Sequence, residues 1–274
     1  MSYIEEVFST QGKVALITGG AGVLSAAIAE GLGKAGAAVV VTDISSVDAR
    51  VADLREKGIR AVGYTMNALK RAEIEEVASR VRDEFGRLDI LVNTAGGNSP
   101  QASTSDTTSF FDIPADALLD VVSLNLFGGA ILPSQVFGKM MLENDEGGVI
   151  VNFSSPAAFQ PLTRVPAYSA SKAAVSNFTQ WLAVYIATEC SPKVRVNAIA
   201  PGFCLTNQNR YLLLDDRDEL TPRGQSVIAH TPAGRFGDPQ DLVSTILWLA
   251  SPASSFVTGA VIPVDGGFTA FSGV

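Results

Sequence analysis

The order of apolar runs along the chain predicts an α/β protein with a Rossmann-type, doubly wound parallel sheet of seven strands flanked by helices, folded as a single domain. Three observations carry this. Short β-rich runs alternate with helical stretches almost to the end of the chain. The strand candidates are apolar throughout, without two-fold alternation, which is expected when helices cover both faces of a parallel sheet. The first strand candidate ends in a glycine loop that opens into a helix. The chain has 274 residues, within the range of one hydrophobic core. No repeat or low-complexity linker interrupts the pattern, so 1–274 is read as one domain.

The elements follow in order. KVALIT, residues 13–18, is a β-rich run stopped by glycines, and an alanine-rich helix covers 24–35. AVVVT at 38–42 is the second strand. Ser45 or Ser46 is placed to cap the next helix, which ends near Lys57 and Gly58. Residues 60–64 form strand three, and 72–85 form an amphipathic helix closed by Gly86. LDILVN at 88–93 is strand four. A mostly helical run covers 115–141, and GVIVNFS at 148–154 is strand five. A long helix spans 166–190, VRVNAIA at 194–200 is strand six, a last helix spans 242–250, and AVIPV at 260–264 is strand seven. Two irregular stretches remain, 96–114 and 206–237. Both follow strands, and in an open sheet the ligand lies beyond the strand C-termini. They are therefore candidate walls, the second forming a small lid at about 205–237.

Composition narrows the function. Lys and Arg total 20 against 28 Asp and Glu, a net charge of −8, which argues against a nucleic-acid or anionic-membrane partner. No stretch reaches 18 consecutive apolar residues, and the N-terminus, MSYIEEVFSTQGK, is acidic rather than signal-like. Two cysteines, Cys190 and Cys204, fit a reducing compartment. The expected location is the cytoplasm. One His and two Cys supply no zinc site by themselves. The carboxylates leave a hard ion open, but no metal is assigned.

Two constellations carry chemistry. TGGAGVLS at 18–25 can bring backbone N–H groups and a helix N-terminus against a pyrophosphate, although Ser25 breaks a clean G-x-G-x-x-G. A structural turn explains such a loop equally well. Asp43 strengthens the first reading. It ends strand two about 20 residues on, where a carboxylate accepts both ribose hydroxyls of an adenosine. It would repel a 2′-phosphate, and neither Thr42, Ile44 nor Ser45 supplies a cation; this favours NAD over NADP. The second constellation is SSPAAFQPLTRVPAYSASK, residues 154–172. Tyr168 and Lys172 lie one turn apart on one helix face, thirteen residues beyond Ser155. A phenol is a poor base at its ordinary pKa near 10, but a neighbouring ammonium favours the phenolate. Ser155 can donate to a substrate oxygen where charge develops. Hydride passes between nicotinamide and carbinol carbon with no metal required. The bland alternative is a surface Tyr–Lys pair with a serine that only caps.

With these residues in view, the sequence resembles the short-chain dehydrogenase/reductase family over nearly its full length. YSASK is the family's Tyr-x-x-x-Lys, Ser155 its upstream serine, and NTAG at 93–96 its Asn-Ala-Gly turn. The resemblance implies four catalytic residues, Asn125, Ser155, Tyr168 and Lys172, with Asn125 in LNLFG anchoring a water in a proton relay from the lysine. It places Gly19, Gly22, Val23, Leu24, Asp43, Asn67, Ala68, Asn93, Ala95, Gly96, Tyr168, Lys172, Pro201, Gly202 and Thr206 along the cofactor. Asn67 stands where the family has Asp, and Val23 and Ser25 where its loop TGxxxGxG has glycines. A replaced glycine there is expected to loosen the helix–strand contact or weaken NAD binding. GGNSPQAST, NFTQWLAVYIA, NAIAPGFCLTNQNR, IAHTPAGRFG and SSFVTGAVIPVDGGFTAFSGV resemble the D-mannonate oxidoreductases (fructuronate reductases) within that family, which are similar to gluconate 5-dehydrogenases. Ser99 replaces their usual His, and Pro156–Ala157 their usual Met-Asn.

The resemblance implies an NAD-dependent interconversion of a secondary alcohol and ketone on a sugar acid, D-mannonate and D-fructuronate first, and a homotetramer. Another polyol, a keto-gluconate or a 3-oxo substrate is the alternative within the class. A non-catalytic dinucleotide-binding regulator, motivated by Val23 and Ser25, is the alternative outside it. A sugar acid needs a cation for its carboxylate and polar partners for its hydroxyls. Asn98, Arg164, Gln208, Asn209, Arg210 and Arg223 are the candidates, each arginine being open to an ordinary surface role. His230, isolated in the lid, reads as a packing or hydrogen-bonding residue.

Overall fold

In the computed structural model, which describes residues 3–206 and 209–273, seven strands form one parallel sheet. They are β1 (Val14–Thr18), β2 (Ala38–Asp43), β3 (Ala61–Thr65), β4 (Ile90–Asn93), β5 (Gly148–Phe153), β6 (Val194–Pro201) and β7 (Val261–Val264). Their order is β3-β2-β1-β4-β5-β6-β7. The doubly wound, single-domain sheet is the architecture the alternation predicts. Alternate residues of β1 explain the unbroken apolar runs. Ala15 and Ile17 point into one core with Ile28, Leu32, Leu54 and Leu249. Val14 and Leu16 point into the other with Ile74, Val81, Phe137 and Met141. Both faces are dry, so neither parity can be polar.

The helices are α1 (Tyr3–Phe8), α2 (Val23–Lys34), α3 (Asp48–Glu56), α4 (Arg71–Phe85), α5 (Ala115–Val122), α6 (Leu132–Met141), α7 (Pro166–Tyr185), α8 (Arg210–Leu213), α9 (Pro222–Ala229) and α10 (Val243–Ala250). Some local details differ from expectation. The third helix is not capped by Ser45: that residue's N–H donates to Asp43 instead. Val47 is the N-cap and lends no side chain, while Ser46 Oγ accepts from the Asp48 N–H at 3.3 Å. The 115–141 run is helical throughout, but its middle, Ser123–Ile131, is π-helix. Asn125 Nδ2 donates to the Val121 carbonyl four residues back at 2.8 Å, competing with the backbone at the point where the ladder widens. By length and a mean hydropathy of 1.6, Ala115–Met141 is long and apolar enough to cross a bilayer, which counting consecutive apolar residues did not register. In the fold it packs against α4, α7 and β5.

Residues 96–114 form two 3-10 turns joined by loops, Pro100–Ala102 and Phe110–Asp112. The 205–237 stretch carries α8 and α9. Its base is closed by a parallel bridge between Cys204 and Gly237, and an antiparallel bridge joins Leu214 to Leu220.

Candidate active site

The sheet register sets Thr18 level with Thr42 on one side and Asn93 on the other. The C-terminal ends of β1, β2 and β4 therefore share one rim, at the switch point where the strand order reverses. A cleft of about 520 Å³ opens along this rim. Gly19, Gly22, Val23, Leu24, Asp43, Asn67, Ala68, Ala95, Gly96 and Thr206 line it. So do Ile44, Met66, Leu124 and Phe153, which carried no sequence signal beyond lying next to motif residues.

The cleft fits a dinucleotide. Helix α2 starts at its wall with Gly22 as N-cap and no side-chain cap, leaving first-turn N–H groups for an anion. Gly19, at φ 63°, approaches β4 so closely that a Cβ there would stand 2.8 Å from the Ala95 Cα. Any side chain would push the loop off the rim. Asp43 is held from two sides: Ala21 N–H donates to one oxygen at 3.1 Å and Ser45 N–H to the other at 2.9 Å. Each oxygen keeps a lone pair for a further donor.

Ser25 corrects the expectation attached to the lost glycine. It is buried, 3% exposed, and its Oγ donates to the Gly19 carbonyl at 2.8 Å. The same Oγ lies 2.7 Å from Thr94 Oγ1, which also lies against the Thr18 carbonyl; the two hydroxyl protons are shared among these three contacts. The hydroxyl thus ties the glycine loop to the strand-four turn instead of loosening it. Asn93 does not line the cleft. It is fully buried, its amide donating to Asn152 at 2.9 Å and Ser134 at 3.2 Å, so it supports the floor between β4 and β5. Pro201 and Gly202 also stand outside the main cleft; Gly202 lines a small pocket with Phe203, Thr231 and Asp265.

Ser155, Tyr168, Lys172 and Asn125 converge where β5, α7 and the π-helical turn meet. Ser155 begins a 3-10 turn, Pro156–Ala158. Its Oγ accepts from the Ala157 N–H at 3.2 Å, which leaves its proton free to donate. It caps and remains chemically available. Tyr168 is held above the ordinary phenol pKa by burial, with the Ser155 hydroxyl pulling the other way. Lys172 Nζ sits 5.7 Å from the Tyr168 ring centre and donates to the Phe153 carbonyl at 2.8 Å. Burial lowers its pKa to about 8. The structure therefore departs from a simple ammonium-depressed phenol: desolvation acts on both groups, raising the phenol and lowering the ammonium. Asn125 is 0% exposed. Its Nδ2 donates to the Gly97 carbonyl at 2.6 Å and its Oδ1 accepts from the Gly97 N–H at 3.2 Å. Gly96 separates this amide from Lys172: a Cβ there would stand 2.8 Å from Asn125 Oδ1 and 3.4 Å from Lys172 Nζ. Two elements far apart in sequence thus meet at one glycine.

The substrate candidates separate sharply. Asn98 is exposed and donates to Ser103 Oγ at 2.9 Å. Asn209 spends both ends of its amide on the local turn, accepting from Thr206 N–H and donating to the Cys204 carbonyl, each at 2.8 Å. Arg210 pairs with Asp218. Arg164, at φ 73°, pairs with Asp106 at 2.9 Å. Arg223 is half-buried and has no hydrogen-bond or ion-pair partner among the described residues. Gln208 lies outside the described residues. His230 behaves as expected: Nδ1 lies 2.8 Å from the Ser226 carbonyl and the ring meets Phe271 edge-on.

Comparison with known proteins identifies the family. A family model described as enoyl-(acyl carrier protein) reductase matches residues 20–269. The 2-dehydro-3-deoxy-D-gluconate 5-dehydrogenase of Escherichia coli K12 is 36% identical over 267 residues, covering 97% of this chain and 99% of its own. A crystal structure from Haemophilus influenza, provisionally named a D-mannonate oxidoreductase and holding NAD, superposes with a TM-score of 0.90 at 42% identity, covering 97% of this chain and 98% of the other. A gluconate 5-dehydrogenase from Burkholderia cenocepacia, in complex with NADP and tartrate, gives a TM-score of 0.86 at 27% identity, covering 98% and 99%. The protein belongs to the short-chain dehydrogenase/reductase family. Within it, this is an NAD(P)-dependent oxidoreductase.

Proposed function

We propose that this enzyme interconverts a secondary alcohol and a ketone on a sugar acid with NAD, the D-mannonate/D-fructuronate pair being the first substrates to try. The observation that carries the chemistry is the convergence of Tyr168, Ser155 and Lys172 beside a cleft shaped for a dinucleotide. When bound, the nicotinamide supplies or accepts the hydride. In oxidation the Tyr168 oxygen takes the proton of the substrate hydroxyl; in reduction it returns one. Ser155 donates its free proton to the substrate oxygen as charge develops there. Lys172, with a pKa of about 8, can exchange protons near neutral pH, and Asn125 holds the adjoining 96–97 turn in place. Asp43 supports NAD: its lone pairs suit ribose hydroxyls, and its charge opposes a 2′-phosphate.

The excursion between Cys204 and Gly237 serves as the lid over the substrate side. The named activities of the relatives above support an acidic sugar. The tie from Ser25 to Gly19 and Thr94 weakens the case for a non-catalytic regulator. A homotetramer in the cytoplasm completes the reading. Support for assembly comes from Phe127, Trp181, Val184 and Tyr185, 45–64% exposed, with Trp181 stacked on Tyr185 at 5.2 Å. The test is an NAD-reduction screen across hexonates and matched polyols, with Tyr168→Phe as control. The expected result is turnover of hexonates that the variant loses by about a thousandfold while still binding NAD. Near-normal turnover by the variant overturns the assignment.

A further inference from the structure

We propose that Ser154 and Ser176 are positioning residues for the reaction: their hydroxyls key α7 to β5 and so set where Tyr168 and Lys172 stand relative to Ser155. This deepens the catalytic reading of Tyr168 and Lys172 and rests on it, whichever acid or polyol is the substrate. The starting point is a change of character along β5. Val149, Val151 and Phe153 point into one core. Ile150 points into the other, in a cluster it shares with Ala183 of α7. The next two residues of that parity, Asn152 and Ser154, are polar, yet only 0% and 3% exposed. A buried polar group is costly unless it is hydrogen-bonded, and both find partners on α7.

Asn152 Nδ2 donates to Thr179 Oγ1 at 2.9 Å. Ser154 Oγ lies 2.6 Å from Ser176 Oγ and 3.3 Å from the Lys172 carbonyl. Ser176 Oγ lies 3.1 Å from the same carbonyl, so two hydroxyl protons serve three contacts. Lys172, Ser176, Thr179 and Ala183 recur at helical spacing and share one face of α7. The seam between strand and helix is thus apolar at Ile150 and Ala183 and becomes a polar ladder as it approaches Lys172.

Lys172 is gripped at both ends by consecutive residues of one strand end. Its Nζ donates to the Phe153 carbonyl at 2.8 Å, and its own carbonyl meets the Ser154 hydroxyl. Ser155 is the next residue. The strand end is itself fixed, since the Ser154 N–H donates to the Ile199 carbonyl of β6 at 2.8 Å. Apolar contact is non-directional and tolerates sliding along a seam, whereas a hydrogen bond weakens steeply with distance and angle. One residue's step along a helix is roughly 1.5 Å, and a misplacement of about 1 Å at a reacting group can cost about 100-fold in rate. The serine pair supplies the directional contact that packing alone lacks.

The test compares wild type, Ser154→Ala, Ser176→Ala, the double alanine variant and Ser176→Thr, with Tyr168→Phe as control. The substrate is whichever hexonate or polyol the wild-type enzyme oxidises fastest, D-mannonate being tried first. The expected result is a single-turnover rate of NAD reduction lowered about 10-fold in each alanine variant, with KM and the NAD dissociation constant within about threefold of wild type. The double variant should lose little more than either single one, because both remove one link. Ser176→Thr, which keeps the hydroxyl, should recover the rate. A crystal structure of Ser154→Ala should show Lys172 Nζ drawn beyond about 3.5 Å from the Phe153 carbonyl. Alanine variants that turn over at the wild-type rate, an unmoved Lys172, losses that multiply in the double variant, or a threonine variant as slow as the alanine one each overturn the positioning role alone. A Tyr168→Phe enzyme that keeps its rate overturns the catalytic reading, and this inference with it.

Discussion

Replacing Lys172 by Met should abolish turnover and, at neutral pH, make the protein more stable. Lys172 is 5% exposed, and burial brings its pKa from 10.5 to about 8. Below pH 8 it is charged in both the folded and the unfolded protein, and the folded state bears the whole cost of desolvation. Between 8 and 10.5 the folded protein has released the proton and the unfolded one still holds it. The unfolded state then binds more protons, so stability rises with pH across that window. The gap from 10.5 to about 8 corresponds to roughly 3 kcal/mol. Met fills similar space without a charge. Against this gain stands the lost hydrogen bond to the Phe153 carbonyl at 2.8 Å, about 1 kcal/mol. The net advantage of Lys172→Met is then about 2 kcal/mol at pH 7. It should shrink through pH 8–10.5 and reverse at the upper end. Urea unfolding of both proteins at several pH values, without nucleotide, measures it. Other groups that titrate there are shared and cancel in the difference. A difference that stays flat across the window, or grows with pH, refutes the reasoning.

Asp43→Ala should weaken NAD binding by about 30-fold through loss of charge-assisted hydrogen bonds and narrow the preference over NADP; calorimetric titration with both nucleotides checks it, and an unchanged NAD affinity removes the role. Ser25→Ala should cost about 1 kcal/mol of stability and raise the NAD dissociation constant several-fold with kcat little changed, since the serine bridges Gly19 and Thr94 and touches no reacting atom. Loss of neither stability nor affinity would show the tie to be inert. Trp181→Glu, at a side chain 57% exposed, should shift the particle mass to a smaller species in light scattering, whereas an unaltered mass would place any subunit contact elsewhere.

Much of this protein is legible without coordinates, for reasons of period and adjacency. A strand dry on both faces must be apolar at every position, so β1 and β5 are visible as unbroken runs. Tyr168 and Lys172 share a helix face because four residues make about one turn, and Asp43 is found by its distance from the glycine loop. The short α8 and α9 escaped, since neither has a long apolar period and neighbouring contacts determine their form. The π-helical turn also escaped, because it depends on where one amide points.

What the order of residues determined by itself was the layered α/β class, the position of the glycine loop after the first strand and the one-turn spacing of Tyr168 and Lys172 on a single helix. Tertiary structure alone decided which side chains were already engaged. Ser25 and Thr94 are 69 positions apart and meet at 2.7 Å; Arg210 finds Asp218 while Arg223 finds no acid among the described residues. The physical reason is that composition and spacing record which groups can donate, accept or carry charge, whereas desolvation and hydrogen-bond satisfaction depend on what the completed fold brings within about 3 Å.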